Sequence, residues 1–121
     1  MQYLLLVYTD PALMAALPQD QYDAHMRDCL HHADELTACG KLLGFQQLQP
    51  VEQARTVRLR ESGLRVVDGP FAETKELLAG FEAASLDEAV EMAKEFPWIR
   101  YGSIEVRPVR DVGAVRVRVG A

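Results

Sequence analysis

The densest concentration of chemically capable side chains falls within eight positions: His25, Asp28, Cys29, His31 and His32. If the segment is helical, residues three and four apart are neighbours, so His25, Cys29 and His32 share a side, as do Asp28 and His32. That set could hold a soft divalent metal. It could also supply an acid–base pair, because imidazole titrates near neutral pH and a carboxylate beside it fixes its tautomer. The plainer reading is packing: a free Cys behaves as a small apolar residue, and His beside it on a half-buried stripe serves the same end.

A second group follows in the stretch Asp68-Gly69-Pro70-Phe71-Ala72-Glu73-Thr74-Lys75-Glu76. Asp68 and Gly69 make a turn, Pro70 fixes φ and removes a donor, and Phe71 anchors the loop by burial. Read as structure, Asp68 caps its own turn. Read as function, Asp68, Phe71, Glu73 and Lys75 line the mouth of a cleft between sheet and helices, with Cys29 on the facing helix. A carboxylate and an ammonium beside an apolar cleft can orient a small polar ligand. The sequence has no phosphate-loop spacing, GxGxxG, nucleophile elbow, paired CxxC or His-Glu-x-x-His, so it implies no cofactor and gives metal no positive support.

Both groups need elements to hold them. Gln2 to Tyr8 is a nearly continuous apolar run, the pattern of a strand buried on both faces at the centre of a sheet. A helix is expected from Gln19 or Asp20 to Cys39, with Gly40 as its left-handed stop. Its apolar positions Tyr22, Met26, Cys29, Leu30, Ala33 and Leu36 recur at steps of three and four. Leu42 to Leu48 reads as a second strand. Thr56 to Arg60 and Leu64 to Val67 alternate around Ser62-Gly63, a hairpin pattern that delivers the chain into the Asp68 loop. Leu77 to Ala83 is a further strand. Ser85 caps a helix from Leu86 to about Phe96, with Glu88 completing a capping box and Pro97 stopping it. Ser103 to Val109 is the last strand of this plan. Val115, Val117 and Val119 alternate with Arg116 and Arg118, which predicts an amphipathic strand added to an edge.

With 121 residues, 49% apolar and 26% charged, the chain has the make-up of one globular domain. No apolar run reaches the roughly 20 residues that cross a bilayer. Cys29 and Cys39 lie ten apart on one expected helix, beyond disulfide reach, and free thiols fit a reducing, cytoplasmic setting. The net charge of -5 is uneven: residues 1–97 carry 8 Lys+Arg against 16 Asp+Glu, whereas residues 98–121 carry five Arg against Glu105 and Asp111. An acidic body disfavours nucleic acid.

The opening Tyr3-Leu4-Leu5-Leu6-Val7-Tyr8, the Asp68–Glu76 stretch, Ser85-Leu86-Asp87-Glu88-Ala89 and Gly102-Ser103-Ile104-Glu105-Val106-Arg107-Pro108-Val109 together resemble the DGPF group of the YCII-related proteins. The resemblance covers residues 1–110 and leaves 111–121 as a C-terminal extension. It implies an α+β fold in which a ferredoxin-like β-α-β-β-α-β protomer, with an antiparallel sheet and an inserted hairpin, pairs into a dimeric α+β barrel. It further implies a homodimer and frequent association with extracytoplasmic-function sigma factor genes, without an established reaction; with the hydropathy and charge above, the expected partners are a second copy and a small-molecule ligand, with no membrane and no nucleic acid. On this basis the chain is expected to be a ligand-binding or accessory protein. The alternative is a cofactor-independent enzyme using a polar residue such as His25, His32 or Asp28. Two departures stand out. Cys29 occupies the place where many relatives carry a histidine, and the strand before Ser85 is about three residues short, so either that strand is truncated or the next helix starts closer to the sheet.

Overall fold

The computed structural model describes residues 1–69 and 75–121, Lys75 through its backbone alone. The apolar N-terminal run forms β1 (Gln2–Thr9), which pairs antiparallel with a strand on each side. A short helix, α1 (Pro11–Ala15), starts where the Asp10 side chain accepts the Ala12 N–H. The long helix α2 (Gln19–Ala38) ends at Gly40, whose φ of 76° supplies the left-handed stop. β2 (Leu42–Gln47), a 3-10 turn (Val51–Gln53) and the hairpin β3 (Arg55–Arg60) and β4 (Gly63–Asp68) follow. Next come β5 (Lys75–Glu82), α3 (Leu86–Lys94), a 3-10 helix (Pro97–Tyr101) and β6 (Gly102–Pro108).

The main sheet runs β2-β5-β1-β6, every neighbouring pair antiparallel. With α2 after β1 and α3 after β5, this is the ferredoxin-like β-α-β-β-α-β plan, and β3–β4 is a separate two-stranded sheet inserted between its halves. The mixed α+β architecture and the hairpin are as the sequence predicts.

The core lies between one face of the sheet and the two long helices. Tyr3, Leu5 and Val7 of β1 and Leu77, Ala79 and Phe81 of β5 meet Cys29, Ala33 and Leu36 of α2 and Ala89, Met92 and Ala93 of α3. Phe96 and Trp98 complete it. The other side of the sheet, which the strand alternation gives to Leu4, Leu6, Tyr8, Leu78 and Gly80, stands outside this cluster.

Ser85 caps α3 by accepting the Glu88 N–H at 3.1 Å, and Glu88 reaches back to the Ala84 N–H at 3.1 Å, one residue earlier than a standard capping box. β5 is eight residues long and pairs with β1 along its length, so the strand is not truncated. Only Ala83 and Ala84 separate it from the cap, and the helix therefore begins close to the sheet.

The C-terminal extension corrects the expected edge strand. Residues Val112–Val119 form a helix, α4. Asp111 accepts the Ala114 N–H at 3.1 Å, and Gly120, at φ 74°, closes the other end. A helix satisfies its backbone internally, whereas a strand would have needed a free edge to pair with. These two caps outweigh the β preference of the alternating valines.

Candidate functional site

α2 holds the predicted histidines, and the structure sends them to different partners. His25 Nε2 lies 2.8 Å from the Tyr101 hydroxyl, and its ring meets Trp98 edge-on at 6.2 Å. His32 turns toward α3: Nε2 is 3.2 Å from the Met92 carbonyl, Nδ1 is 3.8 Å from Glu95, and the ring stands edge-on to Phe96 at 4.5 Å. Asp28 and His31 are exposed. His25 and His32 therefore share no carboxylate, and Asp28 stays at the surface. Among the described residues, no three His, Cys, Asp or Glu gather in a metal-holding arrangement.

Cys29 is fully buried. Burial pushes its thiol up, with a hydrogen bond from the Trp98 side chain opposing that shift. Both effects belong to a side chain packed in the core. Asp68 ends the hairpin in an exposed ion pair, its carboxylate 3.1 Å from Arg55 Nε. Phe71, Glu73 and the Lys75 side chain lie outside the described residues.

A hollow among the described residues sits at the end of the sheet where β1 stops and β5 starts. Its volume is about 430 Å³. Thr9, Met14, Tyr22, Leu48 and Glu76 line it, with Glu52 and Val51 on the outer rim and Trp98, Met26 and Leu77 at a narrower inner end. Each wall has a local cause. Pro11 at the first turn of α1 turns the chain over the end of β1 and brings in Met14. Tyr22 and Met26 are one turn apart on α2.

Trp98 is carried by the 3-10 helix that Pro97 starts, and it packs 5.4 Å from Tyr22. Gly102, which follows, lets β6 start close against the end of β1, since a Cβ there would fall 1.9 Å from the Tyr8 carbonyl oxygen.

Glu76 owes its orientation to an irregularity in pairing. Val7 faces Leu77 but Tyr8 faces Lys75, so Glu76 is an extra residue with no counterpart on β1. Such a bulge re-aims a side chain. Here it puts the carboxyl in the cleft beside Leu77, where strict alternation would have sent the two to opposite faces. Burial raises the Glu76 pKa above its ordinary value; a hydrogen bond from the Thr9 side chain opposes this and the Glu52 carboxylate adds to it. Thr9 is itself a buried polar residue.

The arrangement offers a small, aromatic-walled hollow with one carboxyl whose proton is held more tightly than usual. It can accept or donate a hydrogen bond to a ligand's polar group, or take up a proton. The sequence reading placed Tyr22 in a packing stripe and gave Glu76 no role beyond ending the Asp68 stretch, and it passed over Thr9, Trp98 and Tyr101. One signal was available: the chain's single tryptophan follows Pro97 directly.

Comparison with known proteins adds three findings. The model of the YCII-related domain matches residues 1–113. An uncharacterised protein of Rhizobium meliloti (strain 1021) is 38% identical over 114 residues, covering 90% of this chain and 92% of that one. Among solved structures, 5-chloro-2-hydroxyhydroquinone dehydrochlorinase from Burkholderia phenoliruptrix AC1100, in complex with 2,5-dihydroxybenzoquinone, superposes with a TM-score of 0.54 at 17% identity. That match covers 91% of this chain and 94% of that one, and it is a likeness of fold.

Proposed function

Because the chain belongs to the YCII-related domain family, we propose that it is a homodimeric, cytoplasmic small-molecule-binding protein whose ligand occupies the cleft between Thr9, Tyr22, Glu76 and Trp98. The observation that carries this reading is the bulge that turns Glu76 inward, where its carboxyl stands beside Thr9 on the wall of a hollow lined by Tyr22 and Trp98 and can meet the polar group of a ligand. A small planar molecule with a hydroxyl or amine fits: its ring lies against Tyr22 and Trp98 and its donor group reaches Glu76. The fold neighbour's quinone complex is in keeping with a ligand of this size. No described helix is long and apolar enough to cross a membrane.

The homodimer is supported by the side of the sheet that α2 and α3 leave uncovered, with Leu4, Leu6 and Leu78 in register upon it. Residues 1–110 form the pairing domain and α4 is an appendage to it. Two such sheet faces closing on one another would make the barrel that the resemblance implies.

A second reading is favoured by the raised carboxyl. A cofactor-independent enzyme could use Glu76 as its general base, because a carboxyl shifted toward neutrality is a better proton acceptor than an ordinary one. His25, linked to Tyr101 and one residue cluster away, is the nearest imidazole to that cleft.

The test is a metabolite screen read through Trp98, the only tryptophan and thus an unambiguous optical reporter. Saturable fluorescence change with a compound, lost in Glu76→Gln, supports binding in the cleft. Turnover of that compound would move the assignment to the enzyme. Binding that Glu76→Gln and Tyr22→Ala leave intact would place the ligand elsewhere.

A further inference from the structure

The β3–β4 hairpin has a face that stands exposed among the described residues. Its register sets Val57 opposite Val66 and Leu59 opposite Leu64, so these four side chains share one side. They are 63%, 64%, 71% and 69% exposed respectively. Among the described elements, the hairpin's extensive packing is between its own two strands. A two-stranded hairpin is marginal in water without a surface to pack on, and large apolar patches on soluble chains mark contact sites.

We infer that this hairpin is an arm that embraces a second copy of the chain, forming an interface additional to the sheet pairing. The inference rests on the homodimer proposed above and extends it. Three observations make a second copy the occupant. First, the chain exposes 8350 Å², whereas a compact monomer of 13.5 kDa exposes roughly 6,500 Å². The excess, about 1,800 Å², exceeds the roughly 800 Å² per partner of a standard interface and reaches the range of obligate dimers.

Second, the charges are complementary. Residues 55–68 carry four Arg against Glu61 and Asp68, while the rest of the chain carries 9 Lys+Arg against 16 Asp+Glu. A basic arm on an acidic body is steered toward another such body. Third, the chain also bears the uncovered sheet face, so one two-fold pairing can bury both apolar surfaces on each copy.

The experiment measures the dimer dissociation constant by sedimentation over a concentration series. The Leu59→Glu/Val66→Glu variant changes side chains that the protomer leaves exposed, and it should weaken the dimer by about 100-fold or more. Leu59→Thr/Val66→Thr keeps β propensity without the apolar surface, and it should weaken the dimer about tenfold. Leu4→Glu, on the uncovered sheet face, tests the sheet pairing separately. Arm variants that dimerise within about threefold of wild type while Leu4→Glu is monomeric would overturn the arm and leave the homodimer standing. A wild-type chain that is monomeric throughout would overturn both.

Discussion

Thr9 donates its hydroxyl to the Glu76 carboxyl across adjacent strands, the last residue of β1 meeting the bulged residue of β5. Neither partner is at the open surface. The bond pays part of the cost of ionising Glu76 but leaves the group above its usual range, because burial and the Glu52 carboxylate both work the other way.

This predicts a pH signature. Glu76 ordinarily titrates at 4.5, and its folded-state value lies above that. The folded chain therefore holds this proton to higher pH than the unfolded chain, and the contribution to stability falls as pH rises from 4.5 through the raised value. Glu76→Gln removes the effect. The variant should melt about 1–3 °C above wild type at neutral pH and lose that advantage in acid. Melting curves across the pH range measure it, and a difference that is constant with pH would remove the electrostatic basis of the site.

The two thiols should separate kinetically. Cys39 is exposed and Cys29 is buried, with its thiol pushed up. Thiolate is the reactive form, so a disulfide reagent should titrate one equivalent rapidly in the folded protein and the second only on denaturation. Rapid modification of both would mean that Trp98 does not seal the helix face beneath it.

His32 and His31, adjacent in sequence, should behave differently. His32→Ala loses the contacts to Phe96 and to the Met92 carbonyl that join α2 to α3, at a cost of about 1–3 kcal/mol. His31→Ala, at an exposed position, should stay within about 0.5 kcal/mol of wild type. Denaturant unfolding resolves the pair. Equal effects would count against His32 as a helix-to-helix tie.

The fold was legible because its signals are local and consistent with one another. The unbroken apolarity of Tyr3 to Val7 belongs to a central strand, Gly40 stops α2 and Ser85 starts α3, while the hairpin turns at Glu61-Ser62, one residue before the expected Ser62-Gly63. The tail shows two local signals in conflict. The alternation of Val115, Val117 and Val119 suggests a strand, but Asp111 and Gly120 bracket a helix, and the caps prevail.

The site was less legible for a different reason. Whether Glu76 faces water or the cleft depends on a one-residue offset between β1 and β5, segments some seventy positions apart, and no pattern within either segment encodes it. The histidines of α2 were conspicuous by type, but helical spacing could not reveal that Tyr101 and the Met92 carbonyl would engage them.

The extra residue at Glu76 also makes the acid separable from its scaffold. Shortening β5 by one amino acid at this point would let Tyr8 and its neighbours pair without interruption and rotate the next carboxyl out to solvent. The hollow would remain, stripped of its polar contact. A lineage could thus withdraw or restore this buried acid by a single in-frame codon change while the architecture persists.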